Sequence, residues 1–274
     1  MPLPFDLTLT VSNVDVLSQL ASRFIGEFEK RLSPDGPLDV NLVLHKTRSG
    51  FTDPPAGCPR PMVLAKQDGA RTNLHLSGPD LVGIPVTAFQ GGLDLELATV
   101  VLGRRKSDFQ FNFRREILPL INVSGTAKQV IRYLVHHLEA VVKQLKAVEL
   151  VLDMAHGLPL CAYYYMLISP SNEDKENYRN LVPHHWTRAI FISKKCKEHA
   201  AIVFLAQQGI FAELEAYWWA CHDYILPEDK HLLEELGHIS SQSNPKRFSK
   251  RVVVLFETVK SNLLMVLGGA TTQP

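Results

Sequence analysis

The sequence has few cysteines, no long apolar run and almost no net charge. Four cysteines are scattered over 274 residues, and the formal net charge is +1. Scattered thiols are typical of a reduced protein rather than of a disulfide framework. A near-neutral chain has no overall electrostatic attraction to nucleic acid or to an anionic membrane, although local patches can still provide one.

Targeting and membrane segments are also missing. No apolar run reaches the roughly 18 residues that a spanning helix needs, so we expect no membrane partner. The first residues, Met-Pro-Leu-Pro-Phe-Asp, contain neither the basic nor the apolar region of a secretory signal. These absences predict an intracellular protein, either cytoplasmic or nuclear.

The sequence lacks the short motifs that accompany common chemistries. Neither of the glycine-rich phosphate loops, G-x-x-x-x-G-K-[ST] and G-x-G-x-x-G, is present. The G-x-S-x-G turn of a serine hydrolase and the H-E-x-x-H zinc motif are absent as well. We therefore expect no cofactor and favour a non-enzymatic function.

The most regular stretch covers residues 124–157. Apolar residues recur there at alternating steps of four and three, a heptad spacing held for about four heptads. Ser124 can cap the start, and Gly157 can stop the helix. The pattern predicts one long helix that packs against several elements or pairs with a second copy of itself. The apolar positions are Ala127, Ile131, Leu134, Leu138, Val141, Leu145, Val148, Leu152 and Ala155.

The region before this helix is predicted to consist mostly of strands. One helix follows Asn13, a favourable capping residue. Asp68-Gly69 predicts a hairpin between 62–66 and 71–76. Short, hairpin-linked strands favour a mostly antiparallel sheet. Further strands are predicted at 5–11, 40–44, 93–102 and 109–113.

Together these patterns predict an α+β fold with two parts. Residues 1–123 form an amino-terminal, mostly antiparallel sheet with one helix, and residues 124–274 form a helical domain built on the long helix. A last helix opens at Asn244-Pro245 and carries a near-heptad apolar face. We expect it to lie antiparallel along the long helix.

Histidines and cysteines supply the best argument for an enzyme. Cys196 and His199 lie three residues apart on one face of a predicted helix, and Cys221 and His222 follow on the next helix. The two pairs can form a tetrahedral zinc site, which makes a zinc-dependent enzyme one alternative function. The other interpretation is that both cysteines are small core residues.

Two further histidine positions have structural explanations. His136 and His137 are adjacent on the long helix and point about 100° apart, so they cannot easily bind one ion. We expect His136 to face solvent without a functional role. His156 lies three residues after Asp153, with which it can form an acid–base pair, but it also lies near a predicted helix C-terminus, where a charged imidazole is favoured without any role in catalysis.

Three basic clusters are candidates for binding an anion or a nucleic acid. One crowds the first turns of the last helix, where the helix dipole disfavours cations unless an anion binds. Alternating phenylalanines at 109–113 can stack on bases. The alternatives are solvated charges and a phenylalanine core. The basic residues are Arg104, Arg105, Lys106, Arg114 and Arg115, then Lys194, Lys195 and Lys197, and finally Lys246, Arg247, Lys250 and Arg251.

Four aromatic residues near the predicted hairpin of helices are candidates for binding a protein partner: Tyr217, Trp218, Trp219 and Tyr224. They can equally belong to a helical core. We favour an interaction or scaffold subunit that associates through helical surfaces, with itself or with another protein. The alternative is a nucleic-acid-binding protein that uses the basic clusters around 104–115, 194–197 and 246–251.

Overall fold

The computed structural model describes residues 3–32, 38–47, 62–68, 71–104, 109–121, 126–168, 172–241 and 248–264. In these ranges the chain is predominantly helical and has one three-stranded sheet, so the α+β class is confirmed, with less strand than predicted. In chain order the elements are α1 (Val14–Arg31), β1 (Val40–His45), β2 (Val63–Asp68), β3 (Arg71–Ser77), α2 (Gly78–Leu81), α3 (Val86–Arg104), α4 (Phe113–Glu116), α5 (Thr126–Asp153), α6 (Gly157–Leu167), α7 (Asn172–Leu181), α8 (His185–Gln207), α9 (Glu213–Cys221), α10 (Pro227–Ser241) and α11 (Phe248–Val259).

The sheet has the strand order β1-β3-β2. β2 and β3 pair antiparallel around the predicted hairpin, with Val63 opposite Leu76. β1 runs parallel to β3, with Val40 opposite Thr72. The prediction of a mostly antiparallel sheet was therefore wrong in detail, because one of the two strand pairs is parallel.

Three segments predicted as strands have other structures. Residues 93–102 belong to α3, which is apolar on almost every side and so lacks the one-sided pattern that separates a helix from a buried strand. Residues 5–11 contribute one isolated bridge, between Thr10 and Pro85. Residues 109–112 form a short segment without strand structure, and Phe113 begins α4.

α5 has 28 residues and lies within the predicted range 124–157. The chain turns at Ala155, whose φ is 62°, two residues before the predicted stop at Gly157. Gly157 instead begins α6, where an added Cβ would lie 2.7 Å from Cδ1 of Ile210. The apolar face of α5 is buried against other helices of the same chain, including α3, α8 and α11. Pairing with a second copy would therefore need a different surface.

One apolar core joins the two predicted parts of the chain. α3, from the first part, packs against α5 and α6 from the second. The approach of α3 to α6 is so close that a Cβ on Gly91 would lie 2.0 Å from the carbonyl oxygen of Pro159. Glycine at this position lets the two backbones touch, and this contact holds the sheet side of the molecule on the helical side.

Candidate anion-binding cavity

The segment before α4 is held against the helices by its phenylalanines. The ring of Phe109 meets the ring of Phe248 edge-on, with 5.3 Å between centroids. The side-chain oxygen of Asn112 accepts a hydrogen bond from the backbone N–H of Arg115 and so caps α4. Ile117, at the end of α4, is fully buried. These contacts fix the direction in which Arg114 leaves the backbone.

α5 supplies the facing wall. Arg132, His136, Glu139 and Lys143 follow one another at steps of four, three and four residues, so they share one face of the helix. This face is exposed or half-buried, whereas the heptad face of α5 is buried. The guanidinium of Arg132 lies over the ring of Phe113, with 5.7 Å from Cζ to the ring centroid. Such a cation–π contact holds the arginine in place without satisfying its hydrogen-bond donors.

A cavity of about 450 Å³ lies between the segment and α5. Its walls combine two arginines, a histidine and two phenylalanines with a single carboxylate. The Glu139 carboxylate lies 3.6 Å from the ammonium of Lys143, which offsets its charge. In the described part of the chain, neither Arg114 nor Arg132 forms an ion pair. The lining residues are Phe111, Asn112, Phe113, Arg114, Arg132, Val135, His136 and Glu139.

The chemistry of this cavity is that of an anion site with aromatic walls. An arginine presents several N–H donors in a planar fork that fits phosphate or carboxylate oxygens. The guanidinium groups of Arg114 and Arg132 and the imidazole of His136 line one space, so several N–H donors are available to a bound anion. The phenylalanine rings offer an apolar surface for a planar group attached to that anion.

The charges of two lysines on α8 act on His137, the neighbour of the cavity residue His136 on α5. His137 neighbours His136 on α5 and packs edge-on against Tyr133, with 4.6 Å between ring centroids. Burial, the largest cause, together with the charges of Lys194, His136 and Lys197, lowers the pKa of His137 to about 4. His137 itself is not among the residues that line the cavity.

A second cavity, of about 340 Å³, lies around Phe109 and has mostly apolar walls. Lys143 is its single charged lining residue among the described ones, and the Lys143 ammonium lies 5.6 Å from the centroid of the Phe248 ring. This cavity lacks the convergent donors of the first and is the weaker candidate for an anion.

The predicted basic residues do not form one surface. Arg115 does not line the cavity and pairs with Glu116, while Lys195 is buried and pairs with Asp174 at 3.0 Å. Arg251 is largely buried within α11, where burial lowers its pKa, and Lys250 is exposed on the same helix. Arg104 ends α3 and does not line the cavity. Arg105, Lys106, Lys246 and Arg247 lie outside the described residues.

The aromatic residues predicted to bind a partner have different surroundings. Trp218 is fully buried, and its indole N–H donates to Glu198. Trp219 and Tyr224 are half-buried around the same core. Tyr217 is 36% exposed and stacks on Tyr165, with 4.8 Å between centroids. Only the last of these rings presents a substantial free surface.

The proposed zinc ligands are not assembled into a site. Cys196 is buried, and burial raises its pKa to about 12. His222 stacks on Trp218, and its Nδ1 lies 2.8 Å from the Trp218 carbonyl oxygen. Across the described ranges, no three histidine, cysteine or acidic side chains are grouped so that they can hold a metal ion.

His156 has a partner that sequence spacing did not suggest. Its Nδ1 lies 2.7 Å from Oδ2 of Asp94 on α3. Asp94 is fully buried, and desolvation raises its pKa although the hydrogen bond to His156 opposes this. A pair 62 residues apart in sequence forms because α3 and α6 are in close contact.

Arg132 and His136 are the cavity residues that sequence reasoning missed. The available signal was the polar stripe of α5, in which Arg132, His136, Glu139 and Lys143 recur at helical spacing.

No helix within the described residues is long and apolar enough to cross a membrane. No family model, curated protein or solved structure matches this chain.

Proposed function

We propose that this chain is a non-enzymatic binding protein and that the α5 cavity takes an anionic group attached to a planar ring. The observation that carries this proposal is the convergence of Arg114, Arg132 and His136 on one space that Phe111 and Phe113 also line. A small organic phosphate or carboxylate matches these walls in charge and shape.

The size and stiffness of the cavity support a small ligand. Its volume of about 450 Å³ falls toward the lower end of ligand pockets, which range over roughly 300–1,000 Å³. Arg132 is already positioned by the Phe113 ring, so binding would cost little ordering of that side chain. Val135 is 1% exposed and gives the cavity a rigid apolar floor.

Isothermal titration with AMP as the probe tests this proposal, with adenosine and inorganic phosphate as partial ligands. A matched pair of variants is available, because Arg114 lines the cavity and its neighbour Arg115 pairs with Glu116 outside it. We expect Arg114→Ala to weaken AMP binding by roughly 10- to 100-fold, the cost of losing a hydrogen bond to a charged group. Arg115→Ala should leave the affinity within about twofold.

Two results would overturn the proposal. One is the absence of any AMP binding to the wild-type protein at about millimolar concentration. The other is an equal loss of affinity in Arg114→Ala and Arg115→Ala, since this would mean that net charge rather than the cavity attracts the ligand. Arg132→Lys adds a finer test, because it keeps the charge and removes the planar fork.

Association through a helical surface is the second candidate function, and Tyr217 supports it. This tyrosine is exposed and stacks on Tyr165, while Leu158, seven residues before Tyr165 on α6, is 46% exposed. If this surface pairs with a second copy of the chain, light scattering will show a dimer that Tyr217→Ala dissociates. A monomer at every concentration would rule out self-association.

A further inference from the structure

The two cavities are neighbours between α5 and one stretch of chain, residues 109–114, which we call the crossing segment. Glu139 lines the first cavity, and Lys143, one turn further along α5, lines the second. The Glu139 carboxylate and the Lys143 ammonium lie 3.6 Å apart. On the opposite wall, Phe111 lines the first cavity and Phe109 lines the second. The cavities are therefore successive spaces between the crossing segment and one face of α5.

The crossing segment runs along α5 in the opposite chain direction. At one end, the guanidinium of Arg132 lies 5.7 Å from the centroid of the Phe113 ring. At the other end, the Lys143 ammonium lies 5.6 Å from the centroid of the Phe248 ring, which meets the Phe109 ring at 5.3 Å. Because Arg132 and Lys143 are eleven residues apart on one helix, the two ends are about 16 Å apart along its axis.

The two walls change from charged to apolar along this length. Arg114 and Arg132 lie at the first end, the Phe111 ring follows, and the walls of the second cavity are mostly apolar. Lys143 is paired with Glu139 and can lay its methylene stem along an apolar group while its ammonium stays at the carboxylate. From α3, the described residues that line the second cavity are Thr99, Leu102 and Gly103. The order along the crossing segment is a cationic end, an aromatic ring and an apolar space.

We infer that the anion held by Arg114 and Arg132 belongs to a molecule whose planar ring carries an aliphatic chain, and that this chain occupies the second cavity. The ligand class is an alkyl-substituted aryl phosphate or carboxylate. The inference rests on the proposed function, because it specifies what else the bound anion carries. Each cavity by itself is near the lower end of the size range of ligand pockets, and one ligand that spans both makes use of the whole crossing.

An aliphatic chain suits the second cavity better than a polar or charged group. Methylene groups gain free energy when apolar walls remove them from water. A polar group placed there would lose its hydrogen bonds to water without enough partners to replace them. The second cavity therefore selects for the chain, while the first selects for the anion.

Titration calorimetry with phenyl phosphate, 4-butylphenyl phosphate and 4-hexylphenyl phosphate tests the inference, with each ligand kept below the concentration at which it aggregates. The three probes share the anion and the ring and differ in the chain alone. Each fully buried methylene can strengthen binding by about fourfold. We expect 4-hexylphenyl phosphate to bind at least about tenfold more tightly than phenyl phosphate, with the butyl compound in between.

Gly103→Leu separates the second cavity from the first. Gly103 lines the second cavity, and no heavy atom lies within 4 Å of a Cβ added there, so a leucine can be accommodated and takes up space. We expect the advantage of the hexyl compound over phenyl phosphate to fall to about threefold or less, with phenyl phosphate binding unchanged. The matched control is Gly26→Leu on α1, where an added Cβ also meets no heavy atom within 4 Å.

The control should keep the full advantage of the hexyl compound. Arg114→Ala should weaken both ligands by the same factor, because it alters the anion site and leaves the chain in place. Thermal melting checks that every variant is folded. In the wild-type protein, intermolecular nuclear Overhauser effects should connect the chain methyl group to Leu102 and the ligand ring to Phe111, which locates the chain without any substitution.

Three results would overturn the inference. One is equal affinity for phenyl phosphate and its hexyl derivative, which would leave the proposed function standing if AMP and phenyl phosphate bind. Another is an advantage of the hexyl compound that survives unchanged in Gly103→Leu, and the third is a chain methyl group that contacts residues outside the second cavity. Absence of binding by AMP and by all three aryl phosphates would remove both the inference and the proposed function.

Discussion

Arg188 on α8 donates hydrogen bonds to both carboxylate oxygens of Asp229 on α10. Its Nε donates to Oδ2 at 2.7 Å and one terminal nitrogen donates to Oδ1 at 2.9 Å. Tyr178 of α7 also donates to Asp229 and accepts from the backbone N–H of Leu226. Three helices are thus tied together by one buried carboxylate, which lies at the positive end of α10.

Removing the charge of Asp229 should destabilise the protein strongly. Asp229→Asn removes the buried counter-charge of the Arg188 guanidinium and leaves only the exposed Glu228 carboxylate, which we expect to lower the free energy of unfolding by about 3–5 kcal/mol. Urea denaturation measures this change. Glu228→Gln is the control, because Glu228 also pairs with Arg188, at 3.2 Å, but its side chain is 62% exposed.

The control should cost less than about 1 kcal/mol. If both variants lost the same free energy of unfolding, burial would not determine how much an ion pair with Arg188 stabilises the protein, and the prediction would be wrong.

His222 should make stability fall in acid. Burial, the largest cause, together with the charge of Lys195, lowers its folded-state pKa to about 4, from 6.5. The folded state therefore needs the neutral imidazole, while the unfolded state binds a proton below 6.5. The contribution of His222 to the free energy of unfolding is fully present above pH 6.5 and is lost as the pH falls toward 4. This loss amounts to at most about 3 kcal/mol.

Urea denaturation at about pH 7.5 and about pH 4.5 checks this window. His222→Phe keeps the stacking on Trp218 and removes the titration, so its stability should change less between the two pH values than that of the wild type. His231→Asn, which removes an exposed imidazole on α10, is the control. An identical pH dependence in His222→Phe and the wild type would contradict the prediction.

Two glycines should respond in opposite ways to alanine. Gly91→Ala would place a Cβ 2.0 Å from the Pro159 carbonyl oxygen and should cost about 3 kcal/mol or more, because backbone must move. Gly26, within α1, has no heavy atom within 4 Å of an added Cβ, so Gly26→Ala should gain about 0.5–1 kcal/mol. Thermal melting of the two variants tests the α3–α6 contact directly, and a neutral Gly91→Ala would show that the contact is looser than described.

Glu139→Gln should strengthen anion binding. Glu139 is the single carboxylate among the residues that line the cavity, and removing its charge relieves repulsion of a bound phosphate. We expect AMP to bind about two- to fivefold more tightly, a modest gain because the charge is already paired with Lys143. Titration calorimetry measures the change, and weaker binding would indicate that Glu139 contacts the ligand through a hydrogen bond.

The sequence predicts those parts of the fold that have a local capping or turn signal or carry their apolar residues on one face only. Asn13 caps α1 as expected, and its side chain accepts from the backbone N–H of Val16. The Asp68-Gly69 signal correctly placed an antiparallel strand pair. Residues 93–102 of α3 were mistaken for a strand because the helix is apolar on almost every side, so no polar stripe reveals its helical period.

The candidate site was only partly predictable for a related reason. Arg114 stood out as part of a basic cluster, but the cavity forms only where a short segment crosses α5, and this crossing depends on tertiary contacts such as Phe109 with Phe248. Alternation of phenylalanines at 109–113 pointed to a strand, whereas the rings in fact anchor an irregular segment. Pairs distant in sequence, such as Asp94 with His156, carry no periodic signal at all.

The most direct measurement is a two-dimensional amide NMR titration of the labelled protein with AMP. The account predicts that chemical-shift changes concentrate at Asn112, Phe113, Arg132 and His136, and that they vanish in Arg114→Ala but persist in Arg115→Ala. Changes confined to another surface, such as α10 and α11, or no changes at about millimolar AMP, would contradict the claim that the α5 cavity binds anions.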